Sequence, residues 1–550
     1  MAGLTRKELV PKLDRMRNSL KNDRDIWLQD CKEIARLFYP KQLQSLNEEQ
    51  HPQNEKKTRL NNTAMSSMPI IALSQMAAGL QSGLVTPGRP WFKRGLTDLE
   101  LEKSSRVREW LDEVTKIELE ILARTNFYDN IFLLFKSAGS FGSGCMFVLP
   151  DEDKHVRFKT LEVGTYYMAE NKAGAIDMIF REMNMTARMI WEEFEEANGE
   201  ISDAVMVSYN DVADRDKTRF IVVNAVLPNP DPSITGLPWK FLDVYYLKDA
   251  KSDPEQFLRL SGFEEKPFGA PRWEPMGVYG TSPAIDVFPD ARQLQVMEKE
   301  ILHAIALQVN PPMIGDDELD IRPGALNPNA LTGGNDQVRP VLTVVPDIKG
   351  TLLKTQELKE AINKGLFINL FQSILSAPDV RRTATEVQAR REEGLFALGT
   401  VVERFTTEGL NPMLDRTFRI LFEKGLFPEP PEELQGQELK VEYTSILSQA
   451  QKAGALNSIE RFLGFIQVAA QTHPEIVDSF NFDKAADEVG QTIPAELLND
   501  QKKREEIREE RRQEQLLRDQ AEAAAQGADN LNKIADADSK GSEVVNQALR

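Results

Sequence analysis

Four histidines (His51, His155, His303, His473) and two cysteines (Cys31, Cys145) are the side chains of this 550-residue chain best suited to soft-metal ligation or neutral-pH nucleophilic chemistry. A zinc site needs such groups a few residues apart in at least one pair, and none of these six is so placed. His303 lies within a helical apolar pattern and reads as a packed or inter-subunit residue. The phosphate-cradling loops fail in the same way. Gly83 to Pro90 has the length of a Walker loop, but Arg89 stands where lysine is needed, Pro90 replaces the Ser/Thr, and no strand precedes it. Gly139-Ser140-Phe141-Gly142-Ser143-Gly144 follows a helix and precedes a strand, the reverse of a dinucleotide fingerprint. The same order defeats Ala138-Gly139-Ser140-Phe141-Gly142 as a nucleophile elbow, so these glycines are assigned to tight helix-to-strand packing. The 86 Asp and Glu residues are too many to single out an acid/base pair. No active site, metal or cofactor is expected, and the chain does not read as an enzyme.

Charge gives a second line of reasoning. A net charge of −19 argues against a nucleic-acid binder of the usual kind, which carries a basic patch, and from charge alone it reads as solubility and self-repulsion, without excluding a surface past which DNA slides. One short segment stands apart, Ser376-Ala377-Pro378-Asp379-Val380-Arg381-Arg382-Thr383. It reads either as a helix connection capped by Thr383 or Thr385, or as a loop presenting Arg381 and Arg382 to a polyanion. The N-terminus is charged throughout, which predicts no signal peptide. The apolar runs at 68–85 and 131–149 are broken by polar residues, which predicts no membrane span. Two distant cysteines fit reduced thiols in a cytoplasmic setting.

The elements that would hold these groups are mostly helical. Three- and four-residue spacing of Leu9, Leu13, Met16, Leu20, Trp27, Cys31, Ile34 and Phe38 predicts a helix over 4–40. Further helices are predicted at 62–84, 98–124 and 127–140, after which Gly142-Ser143-Gly144 turns the chain into a strand. From 155 to 270 the period changes to short β-branched and aromatic runs such as RFIVVNAVL and KFLDVYYLK, interrupted by one helix at 186–197. An antiparallel sheet packed on the preceding helices follows, giving an α+β, mainly helical class. Next come a long helix ending at Asn310-Pro311-Pro312, a Pro/Gly-rich excursion to 350, and a returning helix from Thr351 to about Leu375. Residues 383–427 read as one very long helix that Pro412 should kink near Thr407–Leu410. Helical segments at 445–471 and 483–499 precede a highly charged helical tail.

Four stretches together carry a resemblance: NNTAMSSMPIIALSQMAAGLQSGLVTPGRPWFKRGL (61–96), NFYDNIFLLFKSAGSFGSGCMFVLP (126–150), the VYG…DARQLQ…VNPPM segment (278–313), and TATEVQARREEGLFALGTVVERF…LNPMLDRTFRIL (383–421). In order and spacing they resemble the portal, or head-to-tail connector, proteins of short-tailed bacteriophages. That resemblance implies a wing at 1–280 (helical 1–145, β-rich 146–280) and stem helices at 281–307 and 351–375. It implies a clip at 308–350, a channel loop at 376–383, a long kinked wing helix at 384–427, a crown at 428–500 and a charged tail at 501–550. It further implies a ring of twelve copies at one capsid vertex of the virion, assembled in the host bacterial cytoplasm. Double-stranded DNA would pass through during packaging and ejection. The implied partners are the terminase large subunit, tail adaptor or nozzle proteins, and the major capsid and scaffolding proteins.

Within that frame Leu294, Met297, Ile301 and Ile305 are the expected inter-subunit face of the stem. Lys354, Lys359 and Lys364, with Arg381 and Arg382, are the expected channel-facing cations. Repeated around a ring, each would become a belt of positive charge that touches DNA loosely. Pro311, Pro312, Arg322, Pro323, Asn327 and Arg339 are the expected docking residues of the clip. A helical adaptor or internal core protein that binds the portal is the alternative, and the helix–excursion–helix unit is what distinguishes the two.

Overall fold

The computed structural model describes residues 6–46, 64–98, 101, 104–194, 201–229, 238–248, 257–311, 313–314, 339–340, 348–375, 398–434, 439–444, 466, 506–518 and 520–521. The chain divides into two compact units, 1–454 and 455–550. In the second unit, residues 506–518 form a helix whose side chains are almost all exposed, as its charged sequence predicts.

The first unit opens with α1 (Arg6–Leu37), whose buried stripe is Leu13, Arg17, Arg24, Leu28, Cys31 and Ile34, a strict helical spacing. Then come α2 (Met68–Leu84), β1 (Phe92–Leu96), α3 (Ser105–Arg124) and α4 (Phe127–Phe141). The turn out of α4 rests on Gly142. Its φ of +84° suits a residue without a side chain, and a Cβ there would lie 2.2 Å from the carbonyl oxygen of Gly280. Trp91 stacks on Phe127, which meets Phe158 edge to face, in the main core, into which α1, α2, α4 and the later helices all send residues. Each such fully buried ring contributes roughly 1.5–3 kcal/mol relative to exposure.

Two antiparallel sheets follow. The first has the order β3-β2-β9, from β2 (Met146–Asp151), β3 (His155–Thr160) and β9 (Phe268–Gly269). The second has the order β4-β5-β6-β7-β8 and comprises β4 (Tyr166–Glu170), β5 (Ile176–Thr186), β6 (Arg219–Pro228), β7 (Phe241–Leu247) and β8 (Arg259–Phe263). The expected strands and their antiparallel pairing are present. Between β5 and β6 lie α5 (Ala187–Phe194) and an unforeseen second helix, α6 (Asp203–Asn210).

Exposed sheet edges invite unwanted pairing, and at β3 and β4 side chains occupy them. At β3, the Asn126 amide donates to the Phe158 carbonyl (2.9 Å) and accepts from its N–H (3.0 Å), while the Asn130 side chain accepts from the Thr160 N–H (2.9 Å). At β4, Arg24 donates to the carbonyls of Gly164 (2.7 Å) and Tyr166 (3.1 Å), and the Tyr279 hydroxyl accepts from the Met168 N–H (3.0 Å).

A short turn at Pro283–Asp286 leads into α7 (Phe288–Val309). The excursion after it is described only at its ends, where Met313–Ile314 (β10) pairs antiparallel with Arg339–Pro340 (β11). The returning helix differs from the expected single element. It is α8 (Ile348–Gly365) followed by α9 (Ile368–Leu375), because Phe367 takes a φ of +58° and breaks the helical path. The long helix, α10, is described from 398 to 423. At its expected kink it becomes a π-helix, Phe405–Leu410, with the Asn411 N–H reaching back to the Thr406 carbonyl. Finally Leu439–Tyr443, expected within the crown, forms β12 and pairs antiparallel with β1 along its length.

Candidate functional site: a helix pair and its anchorage

The helices α7 and α8 run antiparallel, since Val287 meets Gly365 at one end while Glu298 meets Lys359 further along. A Cβ on Gly365 would lie 2.1 Å from a Val287 methyl, so the absence of a side chain sets how closely the pair approaches. Burial falls off along the pair. Ala291, Leu294 and Gln295 on α7, and Thr355, Leu358 and Ile362 on α8, are buried against the body. Beyond them Leu302 (58% exposed), Ile305 (41%) and Val309 (79%) line one face of α7, and Leu352 (58%) and Leu353 (68%) the start of α8. At about 1.5 Å per residue, α7 reaches about 33 Å, most of it past the core.

The anchorage is specific. Gln295, buried on α7, accepts from the N–H groups of Met65 (2.6 Å) and Ser66 (2.8 Å) and donates to the Ser66 carbonyl (2.8 Å), tying the approach to α2. On the other side, the π segment of α10 grips the strand that enters the pair. Pro412 has no N–H to offer the Glu408 carbonyl, and that carbonyl instead accepts from Ala270 (3.0 Å). The Glu408 carboxylate then receives the Arg272 guanidinium at 2.8 and 3.3 Å and the Arg272 backbone N–H at 3.1 Å. Arg272 also donates to Glu170 (3.1 Å) and to the carbonyls of Gly174 (2.6 Å) and Gly277 (3.2 Å), so one side chain joins four segments.

The predicted site residues are distributed as follows. Leu294 is wholly buried in the subunit's own core and Met297 packs at that core's margin, so the expected neighbour-facing role is corrected for Leu294, which has no surface to offer. Ile301 is half-buried and Ile305 exposed. The sequence reading passed over Leu302, Val309, Leu352 and Leu353, although Leu302, Ile305 and Val309 already stood at helical spacing. Lys354 pairs with Glu357 (3.0 Å), and Lys359 bridges to Glu298 on α7 (3.3 Å). Five-residue steps turn a helix by about 140° each, so Lys354, Lys359 and Lys364 do not share a face. Lys364 is exposed, with no ion pair among the described residues. Pro311 is half-buried, and Arg339 contributes backbone to β11. Arg381, Arg382, Pro312, Arg322, Pro323 and Asn327 lie outside the described residues. His303 is exposed rather than packed within the subunit.

The residues first weighed for chemistry are placed otherwise. Burial pushes the Cys31 and Cys145 thiols up, away from thiolate chemistry. Ser140 is buried and donates to the Lys136 carbonyl (2.8 Å). The loop after Gly83 runs from helix to strand. Among the described residues no three His, Cys, Asp or Glu gather as a metal site, and no helix is long and apolar enough to cross a membrane.

Comparison with known proteins gives the family of the chain. The family described as bacteriophage head to tail connecting protein matches residues 10–497. The probable portal protein of Bordetella phage BPP-1 is 31% identical over 96% of this chain and 96% of its own length. The portal protein of Salmonella phage epsilon15 is 30% identical over 98% of this chain and 97% of its own. By a match that spans nearly its whole length, the chain belongs to the bacteriophage head to tail connecting proteins, the portal family its sequence resembles.

Proposed function

We propose that copies of this chain close into a ring at one capsid vertex and form the conduit through which double-stranded DNA is packaged and ejected. The carrying observation is the antiparallel pair α7–α8, which leaves Leu302, Ile305, Val309, Leu352 and Leu353 uncovered beyond the body. A heterologous contact between the α7 face of one copy and the α8 face of the next would cover that surface and repeat around an axis, closing at twelve in this reading. The excursion between the helices is then the clip, the docking platform for the terminase large subunit and later the tail adaptor. Capsid and scaffolding proteins would meet the body. Lys364, Arg381 and Arg382 are the proposed cations of the channel, sparse enough to let DNA move. Packaging power would come from the docked ATPase, and this chain would do no chemistry of its own.

Electron microscopy of the purified protein tests the proposal: class averages should show rings with a central hole. A species that stays monomeric under all assembly conditions would remove it. An adaptor that merely binds a portal would lack a self-closing helix pair, so the same images separate the two readings. The double substitution Arg381→Ala, Arg382→Ala is expected to leave rings intact and to impair packaging or DNA retention. Normal packaging and retention would exclude the loop from the channel.

A further inference from the structure

Of the outer edges of the two larger sheets, one carries no side-chain cap among the described residues. Asn126 and Asn130 cap β3, Arg24 and Tyr279 cap β4, and the π segment holds the chain beyond β9. The remaining edge is β8, last in the order β4-β5-β6-β7-β8. Among the described residues no side chain hydrogen-bonds to its backbone. Beside it lies a cleft of about 490 Å³, walled by β7 and β8, by α10 and by the end of β2. Leu149, Pro150, Trp239 and Phe263 supply its apolar surface.

The charges of the cleft are unequal. Its three arginines are already engaged: Arg259 with Glu193 (3.6 Å), Arg416 with Glu265, and Arg419 with Glu423 (2.7 Å). Glu264 has no ion pair among the described residues, while Asp243 is buried, accepts from Asn224 (2.5 Å) and Ser261 (3.2 Å), and lies within the field of Arg259 and Arg181. The lining thus sets four carboxylates (Asp243, Glu264, Glu265 and Glu423) against three guanidiniums and leaves Glu264 half-exposed beside aromatic rings, in a chain whose net charge is −19.

We infer that β8 and this cleft form a strand-addition site for an extended peptide of alternating apolar and basic residues, carried by a partner protein. Main-chain pairing along 259–263 gives the register. Every second side chain enters the cleft, where apolar groups meet Trp239 and Phe263 and a basic group meets Glu264. This site is independent of the ring and conduit, and its failure leaves that reading untouched.

The test uses the full chain and a fluorescein-labelled (Val-Lys)₃ hexapeptide, followed by anisotropy and by amide hydrogen exchange. Saturable binding is expected, with new protection confined to those N–H groups of 259–263 that face away from β7. Proline in place of alternate residues in the peptide should abolish it, and a (Val-Glu)₃ peptide should bind far more weakly. Glu264→Lys, at a half-exposed position, should weaken the (Val-Lys)₃ complex about tenfold. The peptide variants carry the test even if that substitution disturbs folding. The inference fails if no saturable binding is found, or if the proline peptide binds equally well. It also fails if the N–H groups of 259–263 that face away from β7 are already protected without peptide: protection that dilutes away would mean a second copy occupies the edge, and protection independent of concentration that the chain covers it itself.

Discussion

Replacing Arg94 by methionine should loosen the ribbon β1–β12 by far more than the loss of one surface ion pair. Arg94 is buried and donates to both carboxylate oxygens of Glu118 (2.8 Å each), to Asp415 (3.1 Å) and to the Leu414 carbonyl (2.9 Å). The two acids differ in setting: the Glu118 side chain is 0% exposed and that of Asp415 52%. Without the guanidinium, Asp415 turns to water, while Glu118 remains as an uncompensated buried charge. Breaking such a buried pair from one side costs about 3–5 kcal/mol, whereas an exposed pair is worth about 0–1 kcal/mol. At 1.4 kcal/mol per tenfold, amide exchange within 92–96 and 439–443 should accelerate by about 10²- to 10³-fold or more in Arg94→Met, and by less than about fivefold in Asp415→Asn. The double variant Arg94→Met, Glu118→Met removes both charges and should recover most of the loss. Burial already raises the Glu118 carboxyl despite the pull of Arg94, and without Arg94 it rises further. An acid with a raised folded pKa is stabilising only while protonated, so the deficit of Arg94→Met should shrink as pH falls from 7 toward 5. Equal exchange in the single and double variants, or a pH-independent deficit, would refute the assignment of the cost to Glu118.

Three other outcomes are expected. Gly365→Ala should destabilise the chain by about 1–3 kcal/mol through overpacking against Val287, and Val287→Ala in the same chain should relieve it; a neutral single variant by urea unfolding would contradict the close approach. Thermal stability should decline from about pH 9 upward, because Cys31, Cys145 and Tyr166 ionise more readily in the unfolded chain than in the fold, where burial raises all three; a flat profile between pH 8 and 10 would count against this. Leu302→Glu with Leu353→Glu should leave the circular dichroism spectrum unchanged yet reduce ring yield several-fold by native mass spectrometry, and undiminished rings would place the subunit contact elsewhere.

Much of this architecture was legible because burial writes a period into the sequence. The stripe of α1, the β-branched and aromatic runs of β5 to β7 and the Asn-Pro-Pro stop of α7 each follow from local sequence. What escaped depends on distant partners. FKRGL carries no strong strand pattern and becomes β1 only because LKVEY, about 340 residues later, pairs with it. Phe367 breaks the returning helix although phenylalanine gives no such local signal. Leu294 and Leu302 are both leucines on one helix, and only the packing of the body tells which is covered. The lysines of α8 looked equivalent in sequence, yet Lys359 is committed to Glu298 while Lys364 remains exposed.

The π segment of α10 has a mechanical meaning. A straight helix carries an axial push along its own hydrogen bonds to its far end. At Glu408 that path branches: the carbonyl loads the Ala270 amide and the carboxylate loads Arg272, which is fastened in turn to the β4–β5 hairpin. A thrust on α10 is thus shared sideways with the sheets through a joint that exists because Pro412 has nothing to donate. The proline serves less as a kink than as a bracket.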